Sequence, residues 1–256
     1  MNEKPATTPL TPANPAGVDP VLLAELVRRE VRGALADFFA HPAAHPRQLN
    51  YEHLAYVQAS LDSAKYLISH MLGANDLVMA DAVRQHALKH CTVNGLIMEF
   101  GVFDGGSLKQ IAAATQQEVH GFDSFEGLPE DWTHFQKKGR FSLSGTPPPQ
   151  LAAIKNVQLH KGWFQDTLPG FLQKHPGPAR FVHIDCDLYS STNTVLGLLA
   201  DRIVPGTVIV FDEYLNYPGW QEHERKAFAE FVARTGVKYK YLGFASGEFS
   251  VSVQIL

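Results

Sequence analysis

The chain has 256 residues, 45% hydrophobic and 19% charged, with 22 lysines and arginines against 26 aspartates and glutamates for a formal net charge of −4. This length and apolar content suffice to bury a full core in one main domain, and the charge balance leaves no basic footprint for nucleic acid and no polybasic run for a membrane surface. The two cysteines, Cys91 and Cys186, are too few and too far apart for a disulfide framework or a cysteine zinc site, and read as free thiols of a reducing compartment.

No apolar run reaches membrane-spanning length, and the first residues lack the basic-then-apolar order of a signal peptide, so the expected compartment is the cytoplasm. Residues 1–20 carry Pro5, Pro9, Pro12, Pro15 and Pro20 among threonine and alanine, a composition that predicts a disordered tail. From Val21 to Ala40 apolar residues recur at helical spacing until Pro42 and Pro46. Further helical patterns run from about Tyr51 to Leu72 and from about Asp76 to Lys89. Residues 21–90 therefore read as an N-terminal helical segment, serving either for packing and dimerisation or as a lid over a site; it is compatible with a homodimer.

Residues 91–256 alternate strand and helix patterns. Strands are predicted at Leu96–Phe100, Glu118–Phe122, Val157–His160, Phe181–Ile184, Thr207–Phe211, Lys238–Phe244 and Phe249–Leu256, with helical patterns after the first, fourth and fifth. The alternation predicts an α/β fold with a doubly wound, mostly parallel sheet of seven strands. Only Ala245-Ser246-Gly247-Glu248 separates the last two strands, so they should close the sheet as an antiparallel hairpin. The stretch from Leu128 to Leu151 holds Pro129, Trp132, Gly145, Pro147, Pro148 and Pro149, too irregular for a regular element and of a length often given to functional loops.

The first strand breaks into a glycine turn, Glu99-Phe100-Gly101-Val102-Phe103-Asp104-Gly105-Gly106-Ser107, and then a helix. Such a turn offers backbone N–H groups to a nucleotide-like ligand, although it also serves as a plain structural turn. Its Gly-x-x-x-Gly-Gly spacing departs from the Gly-x-Gly-x-x-Gly fingerprint of dinucleotide folds, which argues against NAD.

Ligands of open α/β sheets bind beyond the carboxyl ends of the strands, and here those ends are acidic. Asp123, after the second strand and about two dozen residues past Glu99, is placed to accept hydrogen bonds from both hydroxyls of a ribose; a loop carboxylate or a helix cap is the plainer reading. The fourth strand ends in His183-Ile184-Asp185-Cys186-Asp187 and the fifth in Phe211-Asp212-Glu213-Tyr214. If those strands are neighbours, Asp185, Asp212 and Glu213 converge into an all-oxygen cluster suited to Mg²⁺ or Mn²⁺, unless these acids only cap and turn the chain. His183, inside a strand, reads as a satisfied core histidine.

Four ordered motifs, Glu99 to Ser107, Phe122-Asp-Ser-Phe-Glu-Gly-Leu-Pro129, Asp185-Cys-Asp-Leu-Tyr189 and Phe211-Asp-Glu-Tyr214, resemble the class I S-adenosylmethionine-dependent methyltransferases. More narrowly the chain, from about Tyr51 to the C-terminus, is similar to the macrocin O-methyltransferase family, whose members methylate sugar hydroxyls of macrolide and aminocoumarin antibiotics. The resemblance implies that Glu99, Gly101, Phe103 and Ser107 engage the methionine part of S-adenosyl-L-methionine, and that Asp123, with Ser124, holds the ribose. Gly162 and Trp163, after the third strand, fall where adenine is contacted, although an aromatic there also serves as core. It further implies Mg²⁺ on Asp185, Asp212 and Glu213, with Asp185 beside the cofactor as general base.

Relatives carry Asp-Asp-Tyr where this chain has Asp212-Glu213-Tyr214, which leaves the metal open. In a metal-free enzyme His223 would be the base, unless it is a surface residue. Phe103, Trp132, Phe135, Tyr189, Tyr214, Tyr217 and Trp220 are expected to line an aromatic-rich acceptor pocket. The expected reaction is methylation of a hydroxyl on a small molecule, a sugar or another natural-product moiety, with no nucleic-acid or membrane partner. An amine acceptor, a nicotinamide oxidoreductase and a non-catalytic cofactor-binding module are the rival readings.

Overall fold

The computed structural model describes residues 20–40, 51–133 and 136–256; the tail expected at the N-terminus, up to residue 19, and Phe135 lie outside them. The chain divides into two compact units, 1–53 and 54–256. The first contains helix α1, Pro20–Ala40. The second contains everything that bears on chemistry, beginning within helix α2, Tyr51–His70.

After α2 come strand β1 (Asn75–Asp76), helix α3 (Ala80–Lys89), strand β2 (Leu96–Phe100), helix α4 (Gly106–Ala113) and strand β3 (Val119–Asp123). Strand β4 (Val157–Lys161), helix α5 (Phe164–Lys174), strand β5 (Ala179–Ile184), helix α6 (Tyr189–Leu198) and strand β6 (Val208–Phe211) continue the alternation. Helix α7 (Glu224–Thr235) and strands β7 (Tyr239–Phe244) and β8 (Val251–Ile255) complete it. The strands form one sheet in the order β1-β7-β8-β6-β5-β2-β3-β4. All pairings are parallel except those of β8 with β6 and β7, so the expected terminal hairpin is present.

The sheet has eight strands where the sequence predicts seven. The eighth is the two-residue β1, which pairs with Gly243 and Phe244 at the edge and is too short to show any alternation; it also moves the start of α3 from Asp76 to Ala80. A second difference is α5, absent from the sequence reading because Pro169 sits inside it and a proline ordinarily marks a helix end.

Residues alternate across the sheet into two apolar layers. Met98, Phe100, Ile184, Ile209 and Phe211 face Leu168, Val195, Leu196, Phe228 and Phe231 on the α5, α6 and α7 side. Ile97, Val119, Phe181, Val208 and Val210 face Val83, Ala87, Leu108 and Ile111 on the α3 and α4 side. Central strands covered on both faces are almost continuously apolar, and the one charged residue within β2, Glu99, is fully buried.

Register sets the site. Phe100 lies opposite Ile184, and Ile184 opposite Phe211. The ladder runs one residue further, with Asp185 N–H donating to Phe100 O and Asp212 N–H to Ile184 O, both at 2.9 Å. Three adjacent strands thus end level, and Gly101, Asp185 and Asp212 are the first residues beyond them.

Candidate active site

A cavity of about 610 Å³ opens at this carboxyl edge. The glycine turn forms one wall. Gly101 adopts φ +89° and passes so close to the neighbouring strand end that a Cβ would stand 1.7 Å from Asp185 O; only glycine fits. Gly105, at φ +82°, precedes α4 and presents the first turn of that helix to the cavity.

Of the residues expected to bind cofactor, Gly101, Phe103, Ser107, Asp123, Ser124 and Trp163 line this cavity. Asp185 and Glu213 line it as well. Glu99 and Gly162 do not. Glu99 is fully buried beneath the turn, its Oε1 2.8 Å from His183 Nδ1, while Gly162 N–H donates to Asp123 O at 2.9 Å and so holds the second loop to the third.

Asp123 does more than face a ligand. Its Oδ2 accepts N–H bonds from Val102 at 2.7 Å and Phe103 at 2.8 Å, and its Oδ1 accepts one from Phe125 at 2.7 Å. The carboxylate therefore shapes the glycine turn, where Phe103 sits at φ +47°, and Oδ1, with one N–H bond, keeps acceptor capacity toward the cavity.

The aromatic lining differs from the expectation. Tyr214, Tyr217 and Trp220 are 1–2% exposed and belong to the core. Trp132 packs against Tyr217, and the Tyr189 hydroxyl donates to Glu230 at 2.6 Å; neither lines the cavity. Aromatic residues after a strand end are as readily drawn into the layer under the loop as into the pocket. The cavity takes its rings from Phe103, Phe141, Trp163 and Phe164, of which Phe141 comes from the long irregular loop.

The acids converge as the strand order requires. Ligand-type oxygens of Asp185, Asp212 and Glu213 all lie within 4.8 Å of one another. His183, two residues before Asp185 and on the same face of β5, bridges inward and outward, with Nδ1 at 2.8 Å from Glu99 Oε1 and Nε2 at 3.4 Å from Asp212 Oδ1. Burial alone would lower its pKa, but the hydrogen bonds to Asp212 and Glu99 and their charges raise it to about 10, which favours the protonated ring. Burial opposes ionisation of Asp212, yet His183 and Arg84 hold its carboxyl below the usual range.

Arg84, on α3, was not legible as a site residue; its Nη1 donates to Asp212 Oδ1 at 3.0 Å. Burial, and then neighbouring acids, push Asp185, Glu213 and Glu224 well above ordinary carboxylate values, and Asp187 to about 7. Glu213 Oε2 and Glu224 Oε1 are buried without a hydrogen-bond partner among the described residues. An all-oxygen donor set with an orphaned buried oxygen fits a small, hard divalent cation, and repulsion among the carboxylates favours one.

His223 stands apart from this cluster. It precedes α7, half-buried, with its ring centroid 6.4 Å from that of Trp132 and 6.3 Å from that of Tyr217. Burial lowers its pKa, and it is not among the residues lining the cavity.

Residues 98–214 match the model of a family described as a methyltransferase domain. Over 219 residues, 75% of this chain and 76% of the relative, the sequence is 28% identical to 8-demethyl-8-(2,3-dimethoxy-alpha-L-rhamnosyl)-tetracenomycin-C 4'-O-methyltransferase of Streptomyces olivaceus. Among solved structures the fold is similar to that of CalS11, a calicheamicin methyltransferase, with TM-score 0.55 and 22% identity, covering 83% of this chain and 95% of that one. It is also similar to the O-methyltransferase NovP, with TM-score 0.52 and 22% identity over 67% and 77% of the two chains. No helix among the described residues is long and apolar enough to cross a membrane.

Proposed function

We propose, from the premise that this chain is an S-adenosylmethionine-dependent methyltransferase, that it methylates a hydroxyl of a sugar or a related natural-product moiety. One observation carries the reading: the glycine turn, Asp123 and two acids of the cluster, Asp185 and Glu213, all open onto a single cavity. The first two suit a nucleoside with a charged tail, and the third suits removal of a proton. The relative from Streptomyces olivaceus, named for methylation of a rhamnosyl group, supports a glycosidic hydroxyl as acceptor.

S-adenosylmethionine supplies a methyl group already activated on a sulfonium, so the protein has to align donor and acceptor and accept one proton. The N–H groups at the start of α4 and the wall of Phe103 and Ser107 would hold the methionine end. Asp123 would take the ribose, and Trp163 would cover the base. The acceptor oxygen forms a bond to the methyl carbon as the carbon–sulfur bond breaks, its electron pair staying on sulfur. The hydroxyl proton passes to Asp185, the strand-end carboxylate that faces the cavity. Asp185, Asp212 and Glu213 would hold Mg²⁺, which when bound acidifies a hydroxyl beside it. The position of His223 off the cavity supports Asp185 over it as the base.

Calorimetric titration with S-adenosylhomocysteine beside NADH, on the native chain and on Asp123→Ala, tests the reading. Micromolar binding of the first alone, weakened in the variant, is the expected result. Absence of binding removes the assignment.

A further inference from the structure

Helix α3 sends one charged side chain to the acidic edge of the sheet. Arg84 donates from Nη1 to Asp212 Oδ1 at 3.0 Å, and the two side chains are only 11% and 22% exposed. His183 Nε2 stands 3.4 Å from the same oxygen. Among the described residues, every hydrogen bond of the Asp212 side chain therefore falls on Oδ1, and Oδ2 accepts none. A carboxylate offers roughly two lone-pair sites on each oxygen, so these two partners come close to filling Oδ1 and leave Oδ2 for another.

Gln110 of α4 completes the arrangement. Its Oε1 accepts from Nη2 at 2.9 Å and from Nε at 3.3 Å, so every nitrogen of the guanidinium is engaged and the planar fork cannot turn without breaking bonds to two elements. The partner on α4 is a neutral amide, which orients the guanidinium without neutralising it; Asp212 is its one acid partner among the described residues. An exposed ion pair would fix little, but this sheltered fork fixes the rotation of the Asp212 carboxylate.

That rotation bears on the cluster, because an oxygen of Asp212 lies within 4.8 Å of oxygens of Asp185 and Glu213. Mg²⁺ demands a near-ideal octahedron of short bonds, which the narrow bite of both oxygens of one carboxylate fits poorly, whereas the larger Ca²⁺ readily takes a carboxylate by both oxygens. We propose that Arg84, held by Gln110, is a positioning residue that leaves Asp212 one free oxygen and so makes the acid cluster discriminate against Ca²⁺ in favour of a small octahedral cation, Mg²⁺ or Mn²⁺. The proposal rests on the cation reading of Asp185, Asp212 and Glu213 given above. Arg84 does not line the cofactor cavity and acts through Asp212.

Charge and geometry separate in the measurement. Loss of the guanidinium charge strengthens the binding of Mg²⁺ and Ca²⁺ alike, since both carry the same charge, and leaves their ratio unchanged. Freeing Oδ1 favours Ca²⁺ alone. Electron paramagnetic resonance of free Mn²⁺, with MgCl₂ and CaCl₂ as competitors at constant pH, reads each affinity without turnover. The native chain should bind Mn²⁺, and Arg84→Met should raise the affinity for Ca²⁺ relative to Mg²⁺ by about tenfold, the usual effect of losing a partner that orients a metal ligand. Arg84→Lys, which keeps the charge and loses the fork, and Gln110→Leu, which keeps the ion pair and frees the fork, should each raise the ratio by about threefold. Calorimetry with S-adenosylhomocysteine should show native affinity in all three, which establishes that they fold. A native ratio in folded Arg84→Met, whatever the absolute affinities, overturns the proposal and leaves the cation site standing. Should Arg84→Met not fold, a native ratio in Gln110→Leu overturns it equally. A native chain that binds no Mn²⁺ overturns the cation reading and the proposal with it.

Discussion

The imidazole of His183 lies 2.8 Å from the carboxylate of Glu99, and neither side chain has any exposed surface. The pair joins two adjacent central strands, and through Nε2 of the same ring it reaches Asp212 on a third. A folded-state pKa of about 10 against an ordinary 6.5 means that folding favours the protonated ring. The stabilisation it gives is fully present below about pH 6.5 and is lost as pH rises through about 10. Urea denaturation from pH 6 to pH 10 should show native stability falling across that window, and His183→Gln should flatten the fall. The variant should also lose about 3 kcal/mol near neutral pH, because it leaves buried carboxylates without their cation. A variant as stable as the native chain at pH 7 would show the ring to be neutral in the fold.

Asp123 predicts a double phenotype. Three backbone N–H groups converge on its carboxylate, so Asp123→Ala should lower stability by about 2 kcal/mol and weaken S-adenosylhomocysteine binding by at least about tenfold. Thermal melts and calorimetry measure the two effects separately. Asp123→Asn, which keeps the shape but presents one donor to those N–H groups, should fall between the native chain and the alanine variant in both. A variant that melts earlier yet binds normally would confine the residue to shaping the turn.

For Asp185 the expectation is a loss of turnover with binding retained. Asp185→Asn keeps the size of the side chain and removes the proton acceptor; the rate should drop by about 10² to 10⁴ with S-adenosylhomocysteine affinity within about threefold of native. Chelation by EDTA should depress the native rate and leave cofactor binding intact, with Mg²⁺ restoring it. Undiminished turnover in EDTA would make the strand-end acids sufficient without a cation.

Gly101→Ala is the strictest backbone test. At φ +89°, with the Asp185 carbonyl 1.7 Å from where a Cβ would stand, the alanine cannot be accommodated without parting β2 from β5. Loss of more than about 3 kcal/mol is expected, read as a fall in urea midpoint. Gly139, also at positive φ but with open space around its Cβ position, is the control, and alanine there should cost about 1 kcal/mol from conformation alone.

Much of this molecule was legible in its sequence because its central strands announce themselves. Val208–Phe211 is an unbroken apolar run and Leu96–Phe100 one interrupted only by Glu99, and each is followed by a residue that breaks the pattern, Gly101 or Asp212. Once the strands are ordered, the meeting of Asp185 with Asp212 and Glu213 follows from sheet topology alone. Arg84 had no such signal: it sits 128 positions from Asp212, on an amphipathic helix where an arginine ordinarily faces water. His183 read as a satisfied core histidine, which is correct as far as it goes, but the partners that make it a cation lie on other strands. Tyr214, Tyr217 and Trp220 misled because sequence shows that aromatics follow a strand and not which side of the loop they fall on. Helix α5 was masked by a single proline, and β1 by its own brevity.

The level ending of β2, β5 and β6 also divides the chain into parts that tolerate inserted residues and parts that do not. Neighbouring strands stand about 4.8 Å apart, and successive side chains alternate faces. One residue added within β6 would carry Asp212 about 3.3 Å along the strand and turn it to the opposite face, away from His183 and Arg84, without removing a strand from the sheet. The long loop between β3 and β4 hangs outside that lattice, and lengthening it moves no strand end. Reading frame within the strands is what keeps Gly101, Asp185 and Asp212 level at one edge of the sheet.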